Sequence, residues 1–252
     1  MGEPYYERGG IRIYLGDCLD VLPSLSDRGG LAITDPPYNA KKNYGPKTND
    51  RQDWAEWVGW LDARRGAWEE VAPETLMFLS QTAYRRYVRF SAREVDWSCI
   101  WHKPLSMAVC AAPFMPHYEH IVYFGSRKKG QRRHADGRFV RHGDPGWGSD
   151  VFTANVEVGS QRYGHPTPKP MALMRELVGR VGRDVPFLLD PFCGSGTLLR
   201  AAQEAGVPAI GIEIEERWCE ASARRLEDYV PGPEGQGQLV QVAVAAPDGG
   251  EA

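Results

Sequence analysis

Four short apolar runs of this chain each lead into an acid. IRIYLG is followed by Asp17, LAIT by Asp35, FLL by Asp190 and AIGI by Glu213. Ligands of an open parallel sheet bind in the crevice beyond the carboxyl ends of its strands, where such a carboxylate can accept hydrogen bonds from them. Any one of these acids could equally cap the helix that follows it. Four in one chain, beside two unusual loops, favour a shared site.

The first loop is DPFCGSGT, from Asp190 to Thr197. Gly194 and Gly196 let a ligand approach where a Cβ would collide. The residues after it, LLRAAQEAG, start a helix whose free N–H groups and positive end face that ligand. A dinucleotide fingerprint needs Gly or Ala at position 199, which is Leu199, and no Gly-Lys-Ser/Thr of a Walker A loop follows. A nicotinamide oxidoreductase is thereby weakened. Glu213, 19 positions past Gly194, ends the next run, where a carboxylate binds ribose hydroxyls. Loop and acid together point to an adenosine-containing cofactor.

The second loop is DPPYN, from Asp35 to Asn39. Asp35 and the Pro36 carbonyl can each accept one N–H, and the Tyr38 ring can stack on a flat ligand. The set suits a planar ring bearing an amino group. Pro36 and Pro37 stiffen the backbone that presents it. In isolation the same residues would read as an X-Pro-Pro turn with a surface tyrosine.

These loops need a scaffold. Strands are predicted at 11–15, 31–34, 75–80, 97–102, 119–124, 186–189 and 209–212, and helices at 17–24, 52–71, 82–94, 169–182, 197–205 and 215–228. Strands alternating with helices predict an α/β fold, a doubly wound and mainly parallel sheet with helices on both faces. Trp54, Trp57, Val58, Leu61 and Trp68 recur near helical spacing and read as core. Residues 36–50 and 125–165 lack periodicity and read as long loops. The tail 229–252 reads as one short strand over 238–244 or as mobile chain.

Composition agrees with an ordinary globular domain: 252 residues, 42% apolar, 25% charged, net charge -3. No apolar run reaches the roughly 18–20 residues of a membrane helix, and the first ten residues resemble neither a secretory signal nor a myristoylation site. Five scattered cysteines without a CxxC pair argue against a zinc ribbon or a disulfide scaffold and for a reducing, cytoplasmic setting. The six histidines show no metal spacing, so no metal is expected. The stretch 126–142 holds seven Lys/Arg against one acid. It reads as a phosphate-binding segment or as a solvated charged loop.

DPPYN at 35–39, HPTPKP at 165–170, DPFCGSGT at 190–197 and GIEIEE at 211–216 together resemble the S-adenosylmethionine-dependent DNA amino-methyltransferases, which act on adenine N6 or cytosine N4. Their order resembles the circularly permuted β group, with the catalytic loop first and the cofactor loop near the C-terminus. IRIYLGDCLDVL at 11–22, IWHKP at 100–104 and YEHIVYFGSRKK at 118–129 are similar to other strands of that group. The resemblance covers most of residues 11–228. It implies a Rossmann-like sheet of seven strands, one antiparallel, forming a methyltransferase domain over 1–228. Residues 125–165 would be a loop-rich target-recognition insert.

The resemblance also assigns roles. Asp35, Pro36, Pro37 and Tyr38 would be catalytic, gripping an extruded base by its amine, with Asp35 also close to the cofactor. Asp190, Phe192, Cys193, Gly194, Ser195, Gly196 and Thr197 would hold the methionine part of S-adenosylmethionine. Glu213 would hold its ribose, Asp17 and Cys18 would lie at its adenine, and Thr167 and Lys169 would reach its carboxylate. By position alone, Lys169 would sooner be an exposed residue opening the helix at 169–182. Asn39, Lys41, Lys42, Arg127, Lys128, Lys129, Arg132 and Arg133 would contact DNA. The implied partner is double-stranded DNA, with a homodimer and a cognate restriction endonuclease left open. Asp in the first position of DPPY favours adenine N6, with cytosine N4 as the alternative. A non-catalytic DNA-binding protein on the same scaffold is the alternative from another class.

Overall fold

The computed structural model describes residues 2–48, 50–105, 114–125, 148–157 and 163–229. Along the chain, β1 (Tyr6–Arg8) and β2 (Ile11–Leu15) precede α1 (Cys18–Val21), and β3 (Leu31–Thr34) precedes α2 (Trp54–Glu69). Next come β4 (Glu74–Leu79), α3 (Gln81–Phe90), β5 (Trp97–His102), β6 (Tyr118–Phe124) and β7 (Val151–Thr153). The chain continues with α4 (Met171–Val181), β8 (Leu188–Asp190), α5 (Thr197–Ala205), β9 (Ala209–Glu213) and α6 (Glu216–Glu227).

Burial on both faces makes the strands nearly continuous apolar runs, and their period of two splits each run between two cores. Ile11, Ile13, Leu31, Ile33, Leu76, Phe78 and Leu188 pack with Leu173, Leu177, Leu198 and Leu226 of α4, α5 and α6. Tyr14, Ala32, Met77, Leu79, Leu189 and Ile210 pack with Trp57, Leu61, Trp68 and Tyr87 of α2 and α3 on the opposite face. Three layers result, helix on sheet on helix. The tryptophan stripe of α2 is core, with Trp57 and Trp68 fully buried.

The sheet order is β1-β2-β9-β8-β3-β4-β6-β5-β7. The seven expected strands lie in its middle, and among them only β6 runs antiparallel, to both β4 and β5. Two short strands bring the sheet to nine. β1 pairs antiparallel with β2, and β7 pairs parallel with β5. β1 is a largely exposed edge with no apolar alternation to betray it. β7 lies within the stretch expected to be loop, and buries only Phe152 among exposed neighbours. Both are three residues long, below what periodicity can detect. The pairing of distant segments is clearest at β3, which lies beside β8, Leu31 facing Leu188 and Ala32 facing Leu189. The DPPYN and DPFCGSGT loops therefore leave neighbouring strand ends.

Among the described residues, no helix is long and apolar enough to cross a membrane, and no cluster of three or more His, Cys, Asp or Glu could hold a metal.

Candidate active site

A cleft of about 290 Å³ opens beyond the carboxyl ends of β2, β9, β8 and β3. All four strand-end acids, Asp17, Asp35, Asp190 and Glu213, line it. So do Cys18, Pro37, Thr167, Lys169, Phe192, Cys193, Gly194, Ser195 and Thr197. Gly196 stands behind the wall and does a different job. It has φ +71, and a Cβ there would lie 2.0 Å from Ser222 Oγ, so the turn into α5 can press against α6 only with glycine.

Each acid is held differently. Asp17 caps α1 by accepting from Leu19 N at 3.0 Å and pairs with Arg64 at 2.6 Å. For this residue, capping and a place in the cleft coexist. Asp190 Oδ1 accepts from Thr34 Oγ1 at 2.8 Å and from Phe192 N at 3.1 Å. Glu213 accepts from Gly194 N through Oε2 and from Glu215 N through Oε1, both at 2.9 Å. Burial pushes the carboxyls of Asp190 and Glu213 up to about 7. Burial likewise pushes the Cys193 thiol well above its usual range, so it stays protonated and is no ready nucleophile.

Asp35 belongs to a buried charge cluster. Its Oδ2 is in contact with the Lys169 ammonium, while Oδ1 is buried and has no hydrogen-bond partner among the described residues. Lys169 Nζ lies 3.7 Å from Glu119 Oε2 and 5.0 Å from the centre of the Tyr38 ring. Lys169 is buried, at 6% exposure, so it is no surface lysine. The family resemblance puts it at a cofactor carboxylate, and here its ammonium stands between Asp35 and Glu119. Glu119 Oε1 pairs with Lys103 at 2.9 Å, and Glu119 Oε2 accepts from the Tyr38 hydroxyl at 3.0 Å.

Burial dominates these ionisations, and the neighbours decide their sign. Burial pushes Asp35 up, Glu119 adds to that, and Lys169 opposes it. Burial alone would raise Glu119, but Lys169 and Lys103 hold it below its usual range. Burial alone would lower Lys169, but Asp35 and Glu119 keep it above its usual range, hence protonated.

The remaining loop residues are fixed from outside. The Trp57 indole N–H donates to the Pro37 carbonyl at 2.9 Å, and Pro36 is buried. Asn39, with φ +57, exchanges hydrogen bonds with the Gln52 backbone at 2.8 and 2.7 Å. It is buried and ties the loop down, and Lys41 and Lys42 next to it are exposed. Arg127, Lys128, Lys129, Arg132 and Arg133 lie outside the described residues, as does the strand considered at 238–244.

Sequence reasoning misses several cleft residues. Trp60 and Arg64 of α2 line it, with the Trp60 ring 5.6 Å from Phe192 and the Arg64 guanidinium 4.4 Å from Trp60. Tyr44 also lines it, and so does Lys47, whose place beside the DPPYN loop in sequence suggests contact with the DNA backbone rather than with the cleft. Their loop is pinned to α6, where the Trp218 indole donates to the Tyr44 carbonyl at 2.8 Å and Lys47 N donates to Glu215 Oε1 at 2.7 Å. Glu119 reads in sequence as part of a strand and no more. A lone acid within an aromatic, apolar run is its one available signal.

As a donor set, the cleft offers carboxylates for hydroxyls or amino groups, the rings of Trp60 and Phe192 for a flat ligand, and the Thr167 hydroxyl, with the Lys169 ammonium in the wall already paired to Asp35. That combination fits a nucleoside joined to an amino acid.

Known proteins agree with that chemistry. Type II methyltransferase M.ScaI of Streptomyces caespitosus is 23% identical over 90% of this chain and 84% of its own. Type II methyltransferase M.HpaI of Haemophilus parainfluenzae is 24% identical over 88% of this chain and 76% of its own. Among solved structures, PvuII DNA methyltransferase (cytosine-N4-specific) superposes with a TM-score of 0.64 at 16% identity, covering 88% of each chain. The profile of the N6/N4 methyltransferases, described as DNA methylase, matches residues 30–224. With most of its length matched and the family's two loops side by side on one cleft, the chain belongs to the N6/N4 DNA amino-methyltransferase family.

Proposed function

We propose that this enzyme transfers a methyl group from S-adenosylmethionine to the exocyclic N6 amine of adenine in double-stranded DNA. One observation carries the reading. Asp35 Oδ1 is a buried acceptor without a partner among the described residues, in the loop that walls the cleft. An unmet buried acceptor is costly, and an N–H of a base amine would satisfy it. Asp, rather than Ser, in that position favours adenine by the family resemblance. The match to a cytosine-N4-specific structure supports cytosine N4 as the second reading.

S-adenosylmethionine supplies an electrophilic methyl group on a sulfonium. Glu213 binds the ribose hydroxyls, Asp17 and Cys18 border the adenine, and Asp190 with Cys193, Gly194, Ser195 and Thr197 surrounds the methionine part. Thr167 and Lys169 wall the same end. Asp35 and the Pro36 carbonyl each take one N–H of the target amine and turn its lone pair toward the methyl. Positioning and electrostatics supply most of the rate. Asp35 Oδ1 then holds the proton that the alkylated nitrogen releases, which its raised proton affinity suits. The Tyr38 ring stacks on the extruded base and offsets part of the cost of flipping. Lys41 and Lys42, with Arg127, Lys128, Lys129, Arg132 and Arg133, neutralise backbone phosphates. Asn39 serves them by holding the loop.

Methylation-aware sequencing of DNA from cells expressing the protein tests the reading. N6-methyladenine at one recurrent sequence supports it. N4-methylcytosine favours the second reading, and unmodified DNA contradicts both.

A further inference from the structure

One largely buried cluster of charges exceeds what cofactor and base require. Asp35, Glu119, Lys169 and Lys103 form an electroneutral quartet, two carboxylates interleaved with two ammoniums. Lys103 and Lys169 are 8% and 6% exposed, and the Asp35 and Glu119 side chains are partly buried, at 23% and 14% exposure. Glu119 lies opposite Trp101 in the β5–β6 ladder, is not among the residues lining the cleft, and has its carboxylate taken up by Lys103, Lys169 and the Tyr38 hydroxyl.

We propose that Glu119 is a positioning residue for methyl transfer: it shares the Lys169 ammonium with Asp35 and anchors the Tyr38 hydroxyl, so that Asp35 stays available to the target amine. The inference rests on the reading of Asp35 as the amine's acceptor.

The physical argument starts from Lys169. An ammonium held by one carboxylate alone makes a short charge-assisted pair, and that pair drains the acceptor strength of the same carboxylate toward anything else. A second carboxylate 3.7 Å away on the other side divides the pull. Glu119 can occupy that place because Lys103 fixes it from behind at 2.9 Å and the ladder fixes its backbone. The Tyr38 hydroxyl donates to the same oxygen at 3.0 Å, so one carboxylate sets both the ring that meets the base and the cation that faces Asp35. Around Asp35 the opposing influences are visible: Glu119 raises its proton affinity and Lys169 lowers it. Among the described residues, the other ionisable groups facing Asp35 are Tyr38 in its own loop, Tyr44 in the loop pinned to α6, and Asp190 at the end of β8.

The test compares wild type, Glu119→Gln and the double variant Glu119→Gln with Lys103→Met. Gln keeps the size and the acceptor for Tyr38 but removes the charge, and the double variant restores a neutral cluster. Two readouts are taken: the titration midpoint of Asp35 by carboxyl-carbon NMR, and single-turnover methyl transfer to DNA. In Glu119→Gln the Asp35 midpoint should fall, and transfer should slow by about tenfold or more while cofactor affinity stays within about twofold. The double variant should recover the melting temperature but neither the midpoint nor the rate. An unmoved Asp35 midpoint in Glu119→Gln overturns the inference, and so does a double variant at the wild-type rate. A fallen midpoint in a protein whose wild type transfers methyl to no DNA supports the charge sharing and sinks the acceptor reading of Asp35 instead.

Discussion

The Thr34 hydroxyl donates to Asp190 Oδ1 at 2.8 Å, across 156 positions of sequence. Thr34 immediately precedes the DPPYN loop, and Asp190 opens the DPFCGSGT loop. The bond therefore ties the start of one loop to the start of the other, and on the proposed reading these loops hold the methyl acceptor and the methyl donor. Parallel pairing of β3 with β8 creates it, since both strands deliver their carboxyl ends to the same crevice.

Asp190 and Glu213 give the protein a characteristic pH dependence. Both carboxyls sit near 7 when folded, against about 4 in an unfolded chain. As pH rises through that interval the unfolded chain gives up protons first, so stability falls. Chemical denaturation of cofactor-free protein should show wild type losing stability relative to Glu213→Gln between about pH 4 and 7. A gap that stays constant across the window contradicts the buried-carboxyl account.

Glu213 is also the proposed ribose ligand. Glu213→Ala removes the acceptor for two hydroxyls, each worth about 1–2 kcal/mol. It also frees the Gly194 N–H that the carboxylate holds at 2.9 Å. Isothermal titration should show S-adenosylmethionine binding weakened at least tenfold with the fold intact. Unchanged affinity would remove Glu213 from the cofactor site.

The basic stretch at 126–142 is tested by salt. Neutralising Arg132 and Arg133 together should weaken DNA binding and flatten its salt dependence by about one unit of slope for each phosphate left without its cation. Cofactor affinity should not move. Wild-type binding and slope would make these arginines a solvated loop.

How much of this is legible in the sequence follows from what each feature depends on. Period-two apolar runs and glycine punctuation are local, so the seven central strands and six helices can be read to within a few residues. The four acids are legible because a strand end is a local place. The edge strands are not: Tyr6–Arg8 and Val151–Thr153 owe their conformation to a neighbour's open edge rather than to their own pattern. Glu119 and Lys103 are hidden for a similar reason. Tyr38 lies 81 positions from Glu119, and Lys169 sits on a segment just ahead of α4. Only the antiparallel turn of β6 into the sheet brings them together. Lys169 shows the limit of position-based reasoning, because its burial depends on acids that no local window contains.

Tyr38 separates ring from hydroxyl. Tyr38→Ala removes a stacking face worth roughly 1–3 kcal/mol per base and should impair capture of the extruded base. Tyr38→Phe keeps the ring and loses one hydrogen bond to Glu119, worth about 1 kcal/mol, so it should keep much of the activity in single-turnover assays. A Phe variant as inactive as the Ala variant would assign the function to the hydroxyl.

The central claim is that Asp35 accepts the target amine. The most direct measurement is single-turnover transfer of labelled methyl from S-adenosylmethionine to DNA by wild type and Asp35→Ala, with cofactor affinity measured in parallel. An interaction made mainly as the amine rehybridises is lost from the rate rather than from binding. The account predicts transfer reduced by at least about a hundredfold, at near-normal cofactor affinity, with wild-type label recovered in N6-methyladenine. Transfer by Asp35→Ala at a rate near wild type would contradict it.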